Sequence, residues 1–285
     1  MAFRLACVGG RAALVQDDHY FDLETLSGGA VGSDPMEALA SPDRLHELST
    51  TLEAAEPTGV VSETTLDAPV PRPRNCYGIG LNYKAHADEA SMDLPPAPMV
   101  FTKFPSCIVG PTADVEMRSD SVDYEAEIVA VIGTGGKDIA EQDAWSHVIG
   151  LTAGQDISDR PVQFASKPPH FDLGKSFDTF GPMGPVLVSL DQFDDLDAVR
   201  VTGSVNGEER QNATMASMIF SIPVLIAYLS RITTLQTGDV IYTGTPDGIG
   251  FAQGKLLQDG DIVTTSVDGV GTMTNRCVRV SDHEL

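Results

Sequence analysis

Two glutamates one residue apart are the side chains of this chain best placed to do chemistry. They sit in Asp123-Tyr124-Glu125-Ala126-Glu127-Ile128-Val129-Ala130-Val131-Ile132-Gly133. The apolar, β-branched run that follows them, stopped by glycine, predicts a buried strand. Side chains alternate across a strand, so both carboxylates face the same way, roughly 7 Å apart by strand rise. Two like charges entering a desolvated sheet cost several kcal/mol each unless something neutralises them, and one divalent cation does this for both. The same spacing also suits an exposed strand end in an acidic protein.

Further groups could complete such a site. Asp156 follows an apolar, strand-like segment and offers a third carboxylate; three carboxylates with water make an all-oxygen shell, which selects Mg²⁺ or Mn²⁺ over zinc. Asp159 is equally available and is read as a solvent-facing or arginine-pairing neighbour. Asn82 as an N-cap would start a short helix carrying His86 and Glu89 on one face. The carboxylate would orient the imidazole and raise its basicity, as a general base acting on water requires, although an ordinary surface pair has the same spacing. Pro95, Pro96 and Pro98 end that helix, so residues 83–98 are expected to form a lid that closes over a bound ligand. Gly174-Lys175-Ser176 is not a phosphate loop, because Pro169 stands where the Walker pattern needs glycine. Lys175 is instead a lone cation in an aromatic neighbourhood, suited to holding a carboxylate or an enolate oxygen. Thr243-Gly244-Thr245-Pro246-Asp247-Gly248-Ile249-Gly250 can present N–H groups and hydroxyls to an anion and does not match a dinucleotide fingerprint.

The elements that must position these residues follow from turn and helix signals. Gly9-Gly10 predicts a hairpin between Phe3–Val8 and Ala12–Gln16, and residues 35–54 carry a helical pattern with Pro42 near a start. Nothing up to residue 68 clusters chemical groups. The expected organisation is therefore a small N-terminal α/β domain over 1–68, a Pro-rich linker over 69–74 and a catalytic domain over 75–285. Within the last, Phe101–Phe104 reads as a short strand, Ala140–His147 as a helix, Asn206-Gly207 as a hairpin turn, and Ser221-Ile222-Pro223 as the start of a helix reaching about Arg231.

Composition bounds the partners. The 285 residues carry a net charge of −23, which argues against nucleic acid and anionic membrane, since both need a basic face. An acidic substrate would need a positive field supplied by the site itself. Cys7, Cys76, Cys107 and Cys277 are scattered without a CxxC pair, which disfavours a thiolate zinc site and suits a reducing compartment. No signal-peptide pattern and no apolar run of roughly 18 residues occurs, so a cytoplasmic protein is expected.

Taken in order, several motifs resemble the fumarylacetoacetate hydrolase family over roughly residues 72 to 280. They are Gly80-Leu81-Asn82-Tyr83 with His86 and Glu89; Asp123 to Glu127; Gln155-Asp156 with Arg160 and Gln163; Gly174 to Asp178; Val205-Asn206-Gly207-Glu208; and Leu235 through Gly250. The resemblance implies an α+β, mostly β fold built on a mixed β-roll, and a homodimer. It implies Mg²⁺ or Mn²⁺ held by Glu125, Glu127 and Asp156, and water activated by His86 with Glu89. Arg160, Gln163, Lys175 and the Gly244-Thr245 loop would bind the oxo-acid end of a small-molecule substrate. Pro161 and the tryptophan-free segment 164–172 depart from the family pattern beside that pocket.

The expected activity is hydrolysis of a carbon–carbon bond in a ketonic substrate, an acylpyruvate or other 2,4-dioxo acid. Decarboxylation of an oxaloacetate-like β-oxo acid, or isomerisation of a 2-hydroxy-dienoate, is the alternative on the same platform. A non-catalytic, cation-binding dimer would need neither Lys175 nor His86.

Overall fold

The computed structural model describes residues 2–89 and 92–280. The chain opens with the hairpin Arg4–Val8 and Arg11–Gln16. Its turn residues Gly9 and Gly10 have φ of 56° and 77°, the left-handed conformation that glycine adopts without a Cβ penalty. The helical pattern expected over 35–54 appears as three pieces, Pro35–Ala38, Pro42–Ser49 and Leu52–Ala54. Pro42 separates the first two, since it has no N–H to continue a helix yet fits a first turn.

One large sheet carries the molecule. Its strands run in the order Gly59–Val60, His19–Asp22, Arg11–Gln16, Arg4–Val8, Gly181–Val188, Val148–Gln155, Ala126–Ile132, Val240–Tyr242, Cys76–Gly80 and Met99–Lys103. Neighbours are antiparallel except for Val240–Tyr242 beside Cys76–Gly80. The N-terminal strands join this sheet directly, with Arg4 opposite Val188 and Leu5 opposite Leu187. Val70, in the proline-rich stretch, is buried in the same core as Leu5 and Leu187. A second sheet of five strands, Glu208–Thr214, Arg200–Val205, Ile262–Val267, Gly271–Arg279 and Val115–Met117, packs against the first. The fold is mostly β with mixed sheets, as the sequence predicts. No helix among the described residues is long and apolar enough to cross a membrane, and all four cysteines are buried free thiols.

Ala126–Ile132 is covered on both faces, which accounts for its unbroken apolar run. Ala126, Ile128 and Ala130 face the second sheet with Val201 and Met273, while Val129 and Val131 join Leu39, Leu45 and Leu48 of the N-terminal helices. The strand begins at Ala126 and not at Asp123. Just before it, side chains replace ladder partners: Gln155 Oε1 accepts the Glu125 N–H and Gln211 Oε1 the Ala126 N–H, each at 2.9 Å. The helix expected over 140–147 is a 3₁₀ helix, Glu141–His147.

Close strand approach leaves a testable mark at Gly150. A Cβ there would stand 2.2 Å from the Val188 carbonyl oxygen, a backbone atom that cannot swing away. Gly150→Ala is expected to cost about 1–3 kcal/mol, as overpacking typically does. At about 2–4 °C per kcal/mol for a chain of this size, thermal unfolding should register the drop; an unshifted Tm would mean that the strands separate freely.

Candidate active site

Adjacent strands of the large sheet bring the acidic residues together. Ala126 pairs with Gln155 and Glu127 with Gly154, so Glu125 and Glu127, at the start of one strand, meet Asp156, just past the end of the other. One carboxylate oxygen from each of Glu125, Glu127 and Asp156 lies within 4.8 Å of the others. All three side chains are buried.

Three cations are buried with them. Lys175 Nζ donates to Asp156 Oδ2 at 2.6 Å and to Ser158 Oγ at 2.8 Å, and stands 3.0 Å from Glu125 Oε2. Lys103 Nζ donates to Asp156 Oδ1 at 2.7 Å, to the Phe180 carbonyl at 3.1 Å and to the Lys175 carbonyl. Arg160 donates from Nε and Nη2 to Asp123 Oδ2 at 2.9 and 2.5 Å, from Nη2 to Glu125 Oε1 at 2.8 Å, and from Nη1 to Gln163 Oε1 at 2.7 Å. A lysine has three N–H donors and an arginine five. Both lysines are thus fully engaged, and among the described residues Arg160 keeps one free donor.

These contacts pair the formal charges of Asp123, Glu125 and Asp156 with those of Lys103, Arg160 and Lys175, three against three. Glu127 is left over. Its Oε2 accepts the Gly244 N–H at 2.8 Å, and no ion pair reaches it among the described residues. Burial first, then the charges of Asp156 and Glu125, push its carboxyl well above the ordinary glutamate value of 4.5. Burial would also raise Glu125, but Lys175 and Arg160 outweigh it and hold that carboxyl at about 2. Lys103 is likewise held above the ordinary lysine value, because Asp156 overcomes the effect of burial. A divalent cation fits this donor set: it neutralises the one unpaired carboxylate and finds only oxygen ligands.

His86 and Glu89 lie on the short helix Lys84–Glu89, with His86 Nδ1 3.6 Å from Glu89 Oε2. Glu89 is anchored by the Gly248 N–H at 3.0 and 3.2 Å, which ties the helix to the glycine-rich loop. His86 Nδ1 is buried and makes no hydrogen bond among the described residues. Asn82 is not the N-cap expected from sequence. Its side chain bonds the carbonyls of Phe220 and Thr243 at 3.0 and 2.7 Å and the Phe220 N–H at 2.8 Å, pinning the segment before the helix to two distant loops. The lid expected over 83–98 includes Ala90 and Ser91, which lie outside the described residues. Met92 and Leu94 beyond them are exposed.

A cavity of about 570 Å³ joins these groups, lined at its inner end by His86, Glu89, Glu125, Arg160, Gln163, Lys175 and Thr245. Gly244 faces Glu127 rather than the cavity. The Thr245 hydroxyl donates to the Ala126 carbonyl at 2.9 Å and accepts from Gln211 at 2.7 Å. Asp159 is neither solvent-facing nor paired with arginine: it caps the helix Arg160–Gln163 through the Val162 N–H at 3.1 Å and accepts from Ser119. Asp123 takes the arginine instead. Sequence reasoning also missed Lys103 and Ser158. The one available signal for Lys103 was its position two residues after Phe101 in a strand, hence on the same face.

Comparison with known proteins fits this geometry. The family model described as fumarylacetoacetate (FAA) hydrolase C-terminal matches residues 75–278. Oxaloacetate tautomerase YisK of Bacillus subtilis (strain 168) is 39% identical over 273 residues, 90% of this chain and 88% of that protein. The mitochondrial oxaloacetate tautomerase FAHD2A of Homo sapiens is 37% identical over 91% of this chain and 87% of its own length. The crystal structure of maleylpyruvate hydrolase from Sphingobium sp. SYK-6 in complex with manganese(II) ion and pyruvate superposes with a TM-score of 0.82. It is 28% identical and covers 98% of this chain and 100% of that one.

Glu127 sets a pH-dependent test. A carboxyl with a raised folded pKa opposes folding as pH climbs from the unfolded value, because the folded chain keeps a proton that the unfolded chain has released. Metal-free protein should therefore lose stability as pH rises above 4.5 toward the raised value. Mn²⁺, which binds the deprotonated cluster, should restore it. Metal-free Glu127→Gln should melt at or above the wild type near neutral pH and ignore Mn²⁺. Thermal scans in EDTA or Mn²⁺ between about pH 5 and 8 would reveal this, and full Mn²⁺ stabilisation of the variant would remove Glu127 from the ligand set.

Proposed function

The chain belongs to the fumarylacetoacetate hydrolase family, and from that premise we propose that it is a divalent-metal-dependent enzyme interconverting the enol and keto forms of a 2-oxo acid with a carbonyl at C4, the class that includes oxaloacetate. The observation that carries this reading is His86: a buried imidazole nitrogen without a hydrogen-bond partner among the described residues, beside a carboxylate, in one cavity with Glu125 of the acidic cluster. The whole-chain relatives named oxaloacetate tautomerase support it.

Mg²⁺ or Mn²⁺ on Glu125, Glu127 and Asp156 would supply a Lewis acid for the oxygens of the oxo-acid end. Ketonisation then requires a proton to leave the enol hydroxyl and another to arrive at C3. His86 lines the cavity and would take the proton from one oxygen and return one to C3 through its ring nitrogens, with Glu89 beside it to offset the charge of the protonated ring. The free donor of Arg160 and the amide of Gln163 orient the acid end. Lys175 reaches an enolate oxygen by releasing one of its three acceptors, and Ser158 is the neutral one.

Hydrolysis of an acylpyruvate is the second reading. The 570 Å³ cavity exceeds what a four-carbon acid fills, and the structurally similar enzyme named maleylpyruvate hydrolase supports it. In that case His86 with Glu89 would deliver a proton-stripped water to the C4 carbonyl, and the C3–C4 bond would break to leave an enolate. Enol absorbance of freshly dissolved oxaloacetate should decay faster with the Mn²⁺-loaded protein. His86→Ala should slow that decay by about 10²-fold or more, the usual worth of a general acid–base. An unaltered rate in His86→Ala would defeat the assignment. Release of free pyruvate and acetate from acetylpyruvate, followed in the same samples, would favour hydrolysis.

A further inference from the structure

The outer half of the cavity differs chemically from the inner half. Beyond the charged groups its wall is made by Met99, Phe101, Phe164, Phe171, Ile249 and Phe251. The four rings form a continuous surface: Phe101 and Phe171 have centroids 5.6 Å apart, Phe164 and Phe171 6.3 Å, and Phe164 and Phe251 5.8 Å. This surface starts where the cations end. Lys175 Nζ lies 5.1 Å from the Phe101 centroid, and the Arg160 guanidinium carbon 5.8 Å from that of Phe251. Every cation lining the cavity is already counted at the inner end. Lys167 and His170, which flank the lining residues Pro168 and Pro169 in the chain, are exposed and do not line it. Phe164 and Phe251 remain 45% and 55% exposed, large apolar side chains that a ligand in the cavity would cover.

A second carboxylate at that end would meet aromatic faces, which carry partial negative charge, and no unengaged cation. It would also enter a molecule with a net charge of −23. An uncharged hydrocarbon end would instead bury exposed rings and lose no hydration of its own.

Resting on the 2-oxo acid reading above, we infer that the preferred substrate carries an uncharged, apolar group beyond its C4 carbonyl, an alkyl or aryl 2,4-dioxo acid rather than a dicarboxylate. Phe164 and Phe251 determine this specificity. Their contribution is independent of whether the reaction stops at proton transfer or proceeds to bond cleavage, since both begin with the same acid end seated inward.

The inference is tested by binding of inert 2-oxo acids that share the acid end and differ at the other. Calorimetric titration of the Mn²⁺-loaded protein with pyruvate, 2-oxohexanoate and 2-oxoglutarate separates the cases. Each buried methylene is worth about three- to fourfold in affinity, so 2-oxohexanoate should bind at least about tenfold tighter than pyruvate, with 2-oxoglutarate no tighter than pyruvate. In Phe164→Ser the ratio of 2-oxohexanoate to pyruvate affinity should collapse several-fold. Preference for 2-oxoglutarate over 2-oxohexanoate, or an unchanged ratio in Phe164→Ser, overturns the apolar subsite while leaving the 2-oxo acid reading intact. Failure of all three acids to bind, pyruvate included, overturns that reading and the inference with it.

Discussion

A single unpaired carboxylate governs this molecule. Three acids and three bases close on one another at the ends of two neighbouring strands, and Glu127 stands among them with nothing but a backbone N–H. A buried carboxylate in that position must either hold a proton or share a cation. With a divalent ion and an ionised Glu127 the cluster gains two positive charges against one negative, leaving a net excess of one. A 2-oxo acid brings one carboxylate. On the proposed reading, a monoanionic acid end would balance that excess at the cluster.

That count survives only if the carboxylates cannot rearrange, and side-chain amides enforce this. Gln155 accepts the Glu125 N–H while donating to Thr265; Gln211 accepts the Ala126 N–H while donating to Thr245; Asn82 bonds residues in two loops. An amide both donates and accepts, so each one can tie two separate segments of the chain together. Glu89, held by Gly248, extends the same scheme to the helix that carries His86. The sheet supplies the stiffness and the amides fix the loops to it, so groups up to 161 positions apart in sequence form one centre.

What sequence alone conveyed follows from this division. The diglutamate strand was legible because alternation and an apolar run are local, and Asp156 because it also ends an apolar run. Hairpin turns at Gly9-Gly10 and Asn206-Gly207 were legible because their backbone demands particular residues. Lys103 was not, since a lysine in a short strand reads as a solvent-facing edge residue; only the pairing of its strand with Cys76–Gly80 puts it beneath Asp156. The role of Asp123 was hidden for the same reason: its partner Arg160 lies 37 positions away. Asn82 misled because an N-cap and a loop cross-link draw on one residue type. The shared lesson is that donors were visible wherever their partners were near in the chain, and invisible wherever a side chain met backbone from another strand.

The acidity of the whole chain can then be set beside the site. With a net charge of −23, the surface repels anions, and over distances beyond roughly 8 Å salt screens that repulsion. Inside, the screening fails and local charges rule. The buried bases are tied to buried acids, so neither lysine offers an idle donor to an approaching anion. On the proposed reading, the attraction that seats an acid end would come from a cation held at Glu127, the remaining donor of Arg160 and the amide of Gln163. Such a site would discriminate by charge: one carboxylate is matched, and a second meets an aromatic wall. On that reading the unpaired carboxylate and the ring-lined mouth act as one constraint, in which the charges the protein leaves unbalanced limit those its ligand carries.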